Sequence, residues 1–298
     1  MKIIRNIKIN LIKILTSYGF YICIIATFLF CLSAEAYIDD IKNEQYSIVR
    51  LLAEFDRTFF LEHTELCSFN IILKGSGSWL TLFIPIIAAF AFVPLVCDEY
   101  DAKAVRFSIF RSSKSSFHTA KFLTACFMGG LAVLIGYGIF TAFVSFTFPA
   151  ITEYSPALQE MFTEEMSDAY QSFAVGGYHK LLAAKFFEMF LYGMVFAVPA
   201  NLCTALMSNK YLVLCIPFFI KYAVNQTCTK LTLAAWSDFE NPNVKLGRLC
   251  SIINPDAIAG LSGHASDKIY IVLYNGALVL MAYVLYLIIL NRRVDCGE

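Results

Sequence analysis

Charged residues are scarce in this chain. Only 15% of its 298 residues are Asp, Glu, Lys or Arg, whereas 58% are hydrophobic. Soluble domains carry about a quarter charged residues, so the composition excludes an ordinary soluble protein. Apolar runs close to 20 residues long recur along the sequence, and runs of this length indicate membrane-spanning helices. The composition therefore predicts an all-α polytopic membrane protein.

The sequence also lacks the motifs of nucleotide, metal and nucleophile sites. No GxxxxGK[ST] motif occurs, so the chain has no P-loop of its own. The ten cysteines form no C-x-x-C pair and the four histidines no i, i+4 pair, so we expect neither a metal nor another cofactor. Gly260-Leu261-Ser262-Gly263 resembles the GxSG nucleophile motif of rhomboid proteases, but the last apolar run has no histidine base. We predict that the chain is not an enzyme.

Six apolar segments are predicted to cross the membrane, within one transmembrane domain that covers residues 1–298. These segments are 17–34, 78–97, 122–148, 181–207, 211–227 and 269–290. The remaining chain forms three long polar loops, at 35–77, 149–180 and 228–268, and one basic segment at 98–121. A signal peptide is an alternative interpretation of the N-terminal part, because Ala34-Glu35-Ala36 has the pattern of a cleavage site.

The distribution of lysine and arginine predicts the orientation. The basic segment, the two termini and the turn near Lys210 together carry 12 such residues in about 51 positions, and the three long loops carry 9 in about 116. Loops rich in positive charge stay on the cytoplasmic side. We therefore expect both termini and the basic segment to be cytoplasmic and the long loops to lie outside.

Three ionisable residues fall within predicted spans, where such residues are functional candidates. Lys185 and Glu188 are three residues apart and share one face of span four, and Lys221 is on span five. Counted from the outer ends, Glu188 and Lys221 both lie about 10 Å deep. A structural ion pair between spans four and five is one interpretation, and a substrate pathway lined by Glu188 or Lys221 is another. Lys185 can also extend toward the membrane surface.

The basic segment interleaves charged and apolar side chains. Arg106 and Arg111 lie close to Phe107 and Phe110, and Glu99 stands at the leading edge. The apolar residues recur at nearly helical spacing, which predicts a short amphipathic helix between spans two and three. Such a helix suits a membrane surface or a groove on a soluble partner.

This segment resembles the coupling helix of permease subunits of type-2 class ABC exporters (the ABC-2 type transporter permease family). Glu99 matches the leading acid of the family pattern, and Val105-Arg106-Phe107 matches its hydrophobic-basic part. The run 111–116 matches its Ser/Arg-rich turn, and Lys121 matches its closing lysine. Lys103-Ala104 departs from the family's Gly-Thr. The six spans and the chain length are also similar to those of this family.

The resemblance implies an exporter that works with a separate cytoplasmic ABC ATPase and a second permease copy, identical or paralogous. The composition, rich in Ile, Lys, Asn, Phe and Tyr, suits a bacterial plasma-membrane protein. The spans have few polar positions, which favours an amphipathic or hydrophobic substrate, such as a peptide antibiotic, a lipid or a drug, and no nucleic acid is expected as a partner. The residues implied to couple to the ATPase are Glu99, Arg106, Phe107, Phe110 and Arg111.

Two alternatives remain open. A secondary transporter would use Glu188 and Lys221 as an ion relay, although carriers of this kind commonly show inverted repeats. A membrane scaffold without transport activity is the other alternative.

Overall fold

The computed structural model describes residues 2–39, 44–102, 113–154, 178–237, 243–263 and 267–295, and these parts are mostly helical. In chain order the helices are α1 (Lys2–Leu15), α2 (Tyr18–Leu32), α3 (Ile48–Glu54), α4 (Arg57–Glu62), α5 (Ser68–Gly75), α6 (Ser78–Phe90), α7 (Val93–Asp101), α8 (Lys114–Thr147), α9 (Tyr178–Leu206), α10 (Lys210–Trp236), α11 (Val244–Ile253) and α12 (Lys268–Asp295). Short 3₁₀ helices lie at Thr64–Leu66, Ile151–Glu153 and Pro255–Gly263, and the strands are β1 (Glu35–Asp39) and β2 (Glu44–Ser47).

Several of these helices are long and apolar enough to cross a membrane. The five stretches that qualify in the described chain are Trp79–Asp101, Lys114–Glu153, His179–Leu206, Lys210–Trp236 and Lys268–Arg292. Helices α1 and α2 qualify only as a pair, bent by 63° where they meet. The prediction of a helical protein with several membrane spans is confirmed. The sixth span and the side on which the termini lie stay predictions.

The second predicted span is interrupted at Pro94. Helix α6 ends at Phe90 and α7 begins at Val93, because a proline cannot donate to the carbonyl four residues earlier and its ring clashes with it. That carbonyl belongs to Phe90, and a Cβ at Gly19 would lie only 2.8 Å from its oxygen. Glycine at position 19 therefore lets α2 pack directly against the break. The other proline of this span, Pro85, lies inside α6.

The bundle is tightest where α8 crosses α9. A Cβ at Gly193 would lie 2.8 Å from the carbonyl oxygen of Gly129 and 2.9 Å from the Cα of Gly130. Small residues let membrane helices approach to backbone contact, where packing rather than the hydrophobic effect holds them together. Helix α8 forms the centre of the bundle, with Tyr137 and Phe140 fully buried.

Helices α10 and α12 lie at the edge of the bundle. Their most apolar windows are only 22% and 11% buried, so most of their apolar surface faces outward. In a membrane protein this surface is available to lipid or to another protein chain.

The predicted outer loop 35–77 is a folded unit and includes the small antiparallel sheet β1–β2, which the all-α prediction did not contain. Its strands bring the rings of Tyr37 and Tyr46 to 6.2 Å between centroids. Residues 48–62 of this predicted loop contain two helices, since α3 ends at Glu54 and α4 starts at Arg57. Burial in this unit raises the pKa of Cys67 to about 11.

The fifth span was predicted to end at Thr227, but α10 continues to Trp236. The predicted loop 228–268 therefore begins with the end of a helix, and its second part folds back onto the bundle. We call α11 together with the 3₁₀ helix Pro255–Gly263 the returning segment. Helix α11 packs against α10, and the 3₁₀ helix packs mainly against α9.

Candidate functional site

The first charged cluster joins three helices at one end of the bundle. Glu99 on α7 accepts a hydrogen bond at Oε1 from Lys13 Nζ on α1, at 2.7 Å, and one at Oε2 from Lys121 Nζ on α8, at 2.9 Å. The Lys121 side chain is buried, and its ammonium also lies 4.6 Å from the centroid of the Tyr100 ring. We call Lys13, Glu99 and Lys121 the Glu99 cluster.

The Glu99 cluster holds together the two helices that flank the predicted coupling helix. Helix α7 ends at Asp101 and α8 begins at Lys114, and the Glu99–Lys121 contact connects them directly. Of the five predicted coupling residues, only Glu99 is within the described chain. The other four lie outside the described residues: Arg106, Phe107, Phe110 and Arg111.

The second charged cluster begins on α9. Lys185, Glu188 and Tyr192 are spaced i, i+3 and i+7, so they share one helix face. Lys185 Nζ lies 2.9 Å from Glu188 Oε2, and both side chains are buried. Lys185 also donates a 2.9 Å hydrogen bond to the backbone oxygen of Ala259 in the returning segment. The ammonium of Lys185 is thus held inside the bundle and does not extend to the surface.

Lys221 on α10 forms a further ion pair next to these residues. Its ammonium lies 2.7 Å from Asp256 Oδ1 in the returning segment and also donates to the backbone oxygen of Thr81 on α6. The Tyr192 hydroxyl donates to the same Asp256 oxygen at 2.5 Å. One carboxylate therefore connects α9, α10 and the returning segment. We call Tyr192, Lys221 and Asp256 the Asp256 cluster.

The predicted pairing of Glu188 with Lys221 differs from these contacts. The structure gives Glu188 an ion pair with Lys185 and Lys221 an ion pair with Asp256. Lys221 also lies farther from the end of its helix than predicted, because α10 continues beyond Thr227. Lys221 lies 11 residues after Lys210 and 15 before Trp236, or about 16 Å and 22 Å along the axis, near the middle of the helix.

Asp256 and Tyr192 were missed by the sequence analysis. Asp256 was predicted to lie in a long polar loop, where an acidic residue does not indicate a functional site. Its neighbours give a signal that could have found it, because Ile252-Ile253 precede it and Ala257-Ile258-Ala259 follow. A single carboxylate in an apolar run is typical of a buried, paired group rather than of a solvated loop. Tyr192 gave no separate signal, since tyrosine is common throughout this chain.

The returning segment is also fixed at a second point. Arg248 on α11 donates from Nε and Nη2 to Asp267 Oδ1, at 2.8 and 2.6 Å, just before α12 begins. The hydrogen bond to Asp267 raises the pKa of the Arg248 guanidinium. The segment is therefore attached to α9, α10 and the start of α12 through charged or polar contacts.

The chain matches no protein-family model and no curated protein. Its function therefore has to be inferred from the two clusters and from the sequence pattern around them. The Glu99 cluster can transmit a movement between helices, and the Asp256 cluster can hold or release the returning segment.

Proposed function

We propose that this chain is the permease subunit of an ATP-driven ABC exporter of the type-2 class. It moves an amphipathic or hydrophobic substrate outward across a bacterial plasma membrane, with both termini cytoplasmic. The energy comes from a separate ABC ATPase bound on the cytoplasmic side, and a second permease copy completes the transport pathway. The observation that carries the proposal is the contact of Glu99 with both Lys13 and Lys121.

The mechanical reasoning starts from the position of these three residues. The basic segment that would contact the ATPase begins in α7 and ends in α8, and the Glu99–Lys121 contact joins those two helices at its base. Lys13 adds α1 to the same unit. A force on the segment would therefore move three helices together. Rigid-body movements of this kind transmit a conformational change from one site to a distant one. A loop attached to a single helix would transmit far less of that movement.

The proposal is tested by replacing the apolar residues predicted to contact the ATPase. Phe107→Asp and Phe110→Asp are expected to reduce ATP-driven transport and weaken co-purification with the ATPase, because a buried carboxylate in an apolar contact is strongly unfavourable. Membrane insertion should be unchanged. The control is Phe107→Leu, which keeps an apolar side chain and should retain most of the transport.

Transport is measured in vesicles that contain the permease and the ATPase encoded beside it. Full transport by both aspartate variants contradicts the proposal, as does the absence of any ATPase that associates with the native chain.

A secondary, ion-coupled transporter is the second candidate function. The observation that favours it is the presence of two acid–base pairs buried among the helices, Lys185–Glu188 and Lys221–Asp256. Such groups inside membrane proteins often form ion or proton relays. Transport driven by a proton or sodium gradient, in vesicles without ATP, would favour this candidate over the exporter.

A further inference from the structure

A cavity of about 340 Å³ lies between α9, α10 and α12, next to the Asp256 cluster. This volume is within the range of about 300–1,000 Å³ typical of small-molecule sites. Its walls are almost entirely apolar, and representative lining residues are Phe196, Leu202, Ile220, Leu278 and Ala282. The side chains of Ile220, Met281 and Leu285 are also largely exposed, so the cavity is open along the outer surface of the bundle.

The cavity has one polar end. Lys221 lines this end of the cavity, and its side chain is only 3% exposed. Its ammonium has three N–H donors, and its oxygen partners within the described chain are Asp256 Oδ1 and the Thr81 backbone oxygen. Asn275 also lines the cavity and uses its Nδ2 to donate to the Ile271 backbone oxygen. The ammonium also lies 5.6 Å from the centroid of the Phe196 ring, which lines the cavity. With two oxygen partners in the described chain, the ammonium can give its third N–H to a molecule in the cavity, and the Asn275 amide oxygen can accept a hydrogen bond there.

These groups restrict what can occupy the cavity. The apolar walls favour an alkyl chain, and the ammonium N–H favours a head group with an acceptor oxygen. The head should carry no net charge, because Asp256 already balances Lys221 and a further charge would be buried without compensation. The backbone of a helix from a second chain would not meet this need, since membrane helices satisfy their own carbonyls.

We propose that this cavity binds a neutral single-chain amphiphile, with its head oxygen on Lys221 and its chain along α12. At about 30 Å³ per water-sized group, the volume holds about eleven heavy atoms, so the head group and the first part of the chain lie in the cavity and the rest of the chain follows the exposed face of α12. The inference rests on the proposed function only where it treats the bound amphiphile as the transported substrate. Binding itself needs neither ATP nor the ATPase, so a negative result here leaves the Phe107 experiment unaffected, and the reverse also holds.

The test uses the full chain in phosphatidylcholine nanodiscs and a 1-decanoylglycerol analogue with a diazirine at the chain end. Photolabelling should saturate and should map to the lining stretches 195–202 and 278–285. Unlabelled 1-decanoylglycerol should compete about tenfold better than decane, which has no head group to accept a hydrogen bond from the ammonium.

Matched variants separate the cavity from the general lipid surface. Ala282→Phe fills the cavity and should abolish saturable labelling, whereas Ala277→Phe, on the exposed face of the same helix, should leave it intact. The double variant K221M/D256N removes the polar end without leaving one charge alone, and it should make decane and 1-decanoylglycerol equal competitors. Thermal unfolding of each variant verifies that it is folded.

Three results would overturn the proposal. The first is labelling that spreads evenly over the lipid-facing side of α12, and the second is equal competition by decane in the native chain. The third is a change of oligomeric state in Ala282→Phe together with shielding of the lining peptides in the native protein. That last result would assign the cavity to contact with a second copy of the chain.

Discussion

Within the described residues, three lysines are buried inside the helical bundle, and each has a carboxylate within 2.9 Å. The pairs are Lys121 with Glu99, Lys185 with Glu188 and Lys221 with Asp256. An isolated ammonium costs several kcal/mol to remove from water, so a lysine persists in such a place only with a partner. Replacing one member of a pair leaves the other charge unpaired and therefore destabilises the protein. Replacing both members with neutral residues avoids this desolvation cost.

At the residue scale we predict a large effect of single substitutions at the Asp256 cluster. Asp256→Asn should lower the free energy of unfolding by about 3–5 kcal/mol, because it leaves the buried ammonium of Lys221 without its partner. Lys221→Met should lower it by less, because the Asp256 carboxylate that it leaves is 22% exposed. Asn at position 256 keeps an acceptor oxygen for the Tyr192 hydroxyl, so the loss reports mainly on the charge. Unfolding by SDS titration of the purified chain measures this quantity.

The double variant K221M/D256N should recover most of that stability, since the neutral pair carries no uncompensated charge. Arg50→Met is the matched control at an exposed pair, because Arg50 and Glu54 are each 44% exposed and such pairs contribute about 0–1 kcal/mol. A double variant that is less stable than both single variants would contradict this account of the Asp256 cluster.

At the scale of elements, the crossing of α8 and α9 is where the backbone has least room. Gly193→Val should lower the free energy of unfolding by about 1–3 kcal/mol or more, because its side chain has to displace the backbone of α8. A Cβ there would meet both Gly129 and Gly130. The melting temperature of the detergent-purified protein measures the change.

The control for this crossing is Gly138→Val, also in the bundle. A Cβ at Gly138 would have no heavy atom of the described chain within 4 Å, so valine should be accommodated with little change in stability. Equal melting temperatures for the two variants would show that α8 and α9 are not held at backbone contact.

The elements that sequence reasoning located well are those whose apolar runs are long and end abruptly. The predicted spans 122–148, 181–207 and 269–290 each lie within, or one residue beyond, the helices α8, α9 and α12. Span five was cut short because Asn225-Gln226-Thr227 is polar, yet the helix continues there with α11 packed against it. Hydropathy indicates whether a segment is apolar enough to face lipid. It does not indicate that another segment of the same chain packs over a polar part of a helix.

The candidate site was predictable in part for the same reason. Lys185, Glu188 and Lys221 stand out because charges are rare in apolar runs, and Glu99 stands out as the leading acid of the basic segment. All four are held in ion pairs. Their partners depend on how the chain folds back, which position along a span does not reveal. Asp256 reaches Lys221 from a predicted loop, through a turn of the chain that no periodicity indicates.

At the scale of the whole molecule, the charges and the exposed apolar surface give complementary information. The edge helices α10 and α12 expose most of their apolar surface, which defines the sides that face lipid or another protein chain. The positive charge concentrated in the basic segment and the termini defines the ends. If the positive-inside rule holds, the folded unit at residues 35–77 lies outside the cell and the Glu99 cluster lies at the cytoplasmic end.

This orientation predicts which positions react with a membrane-impermeant maleimide. Glu62→Cys, on the exposed side of α4, should be labelled in intact cells, whereas Lys210→Cys should be labelled only after the membrane is opened. The native Cys67 is an internal control: it is buried, and its pKa of about 11 keeps it in the unreactive thiol form near neutral pH. It should react only after SDS unfolds the protein. Labelling of Lys210→Cys but not Glu62→Cys in intact cells would reverse the orientation, and it would place the basic segment where no cytoplasmic ATPase could reach it.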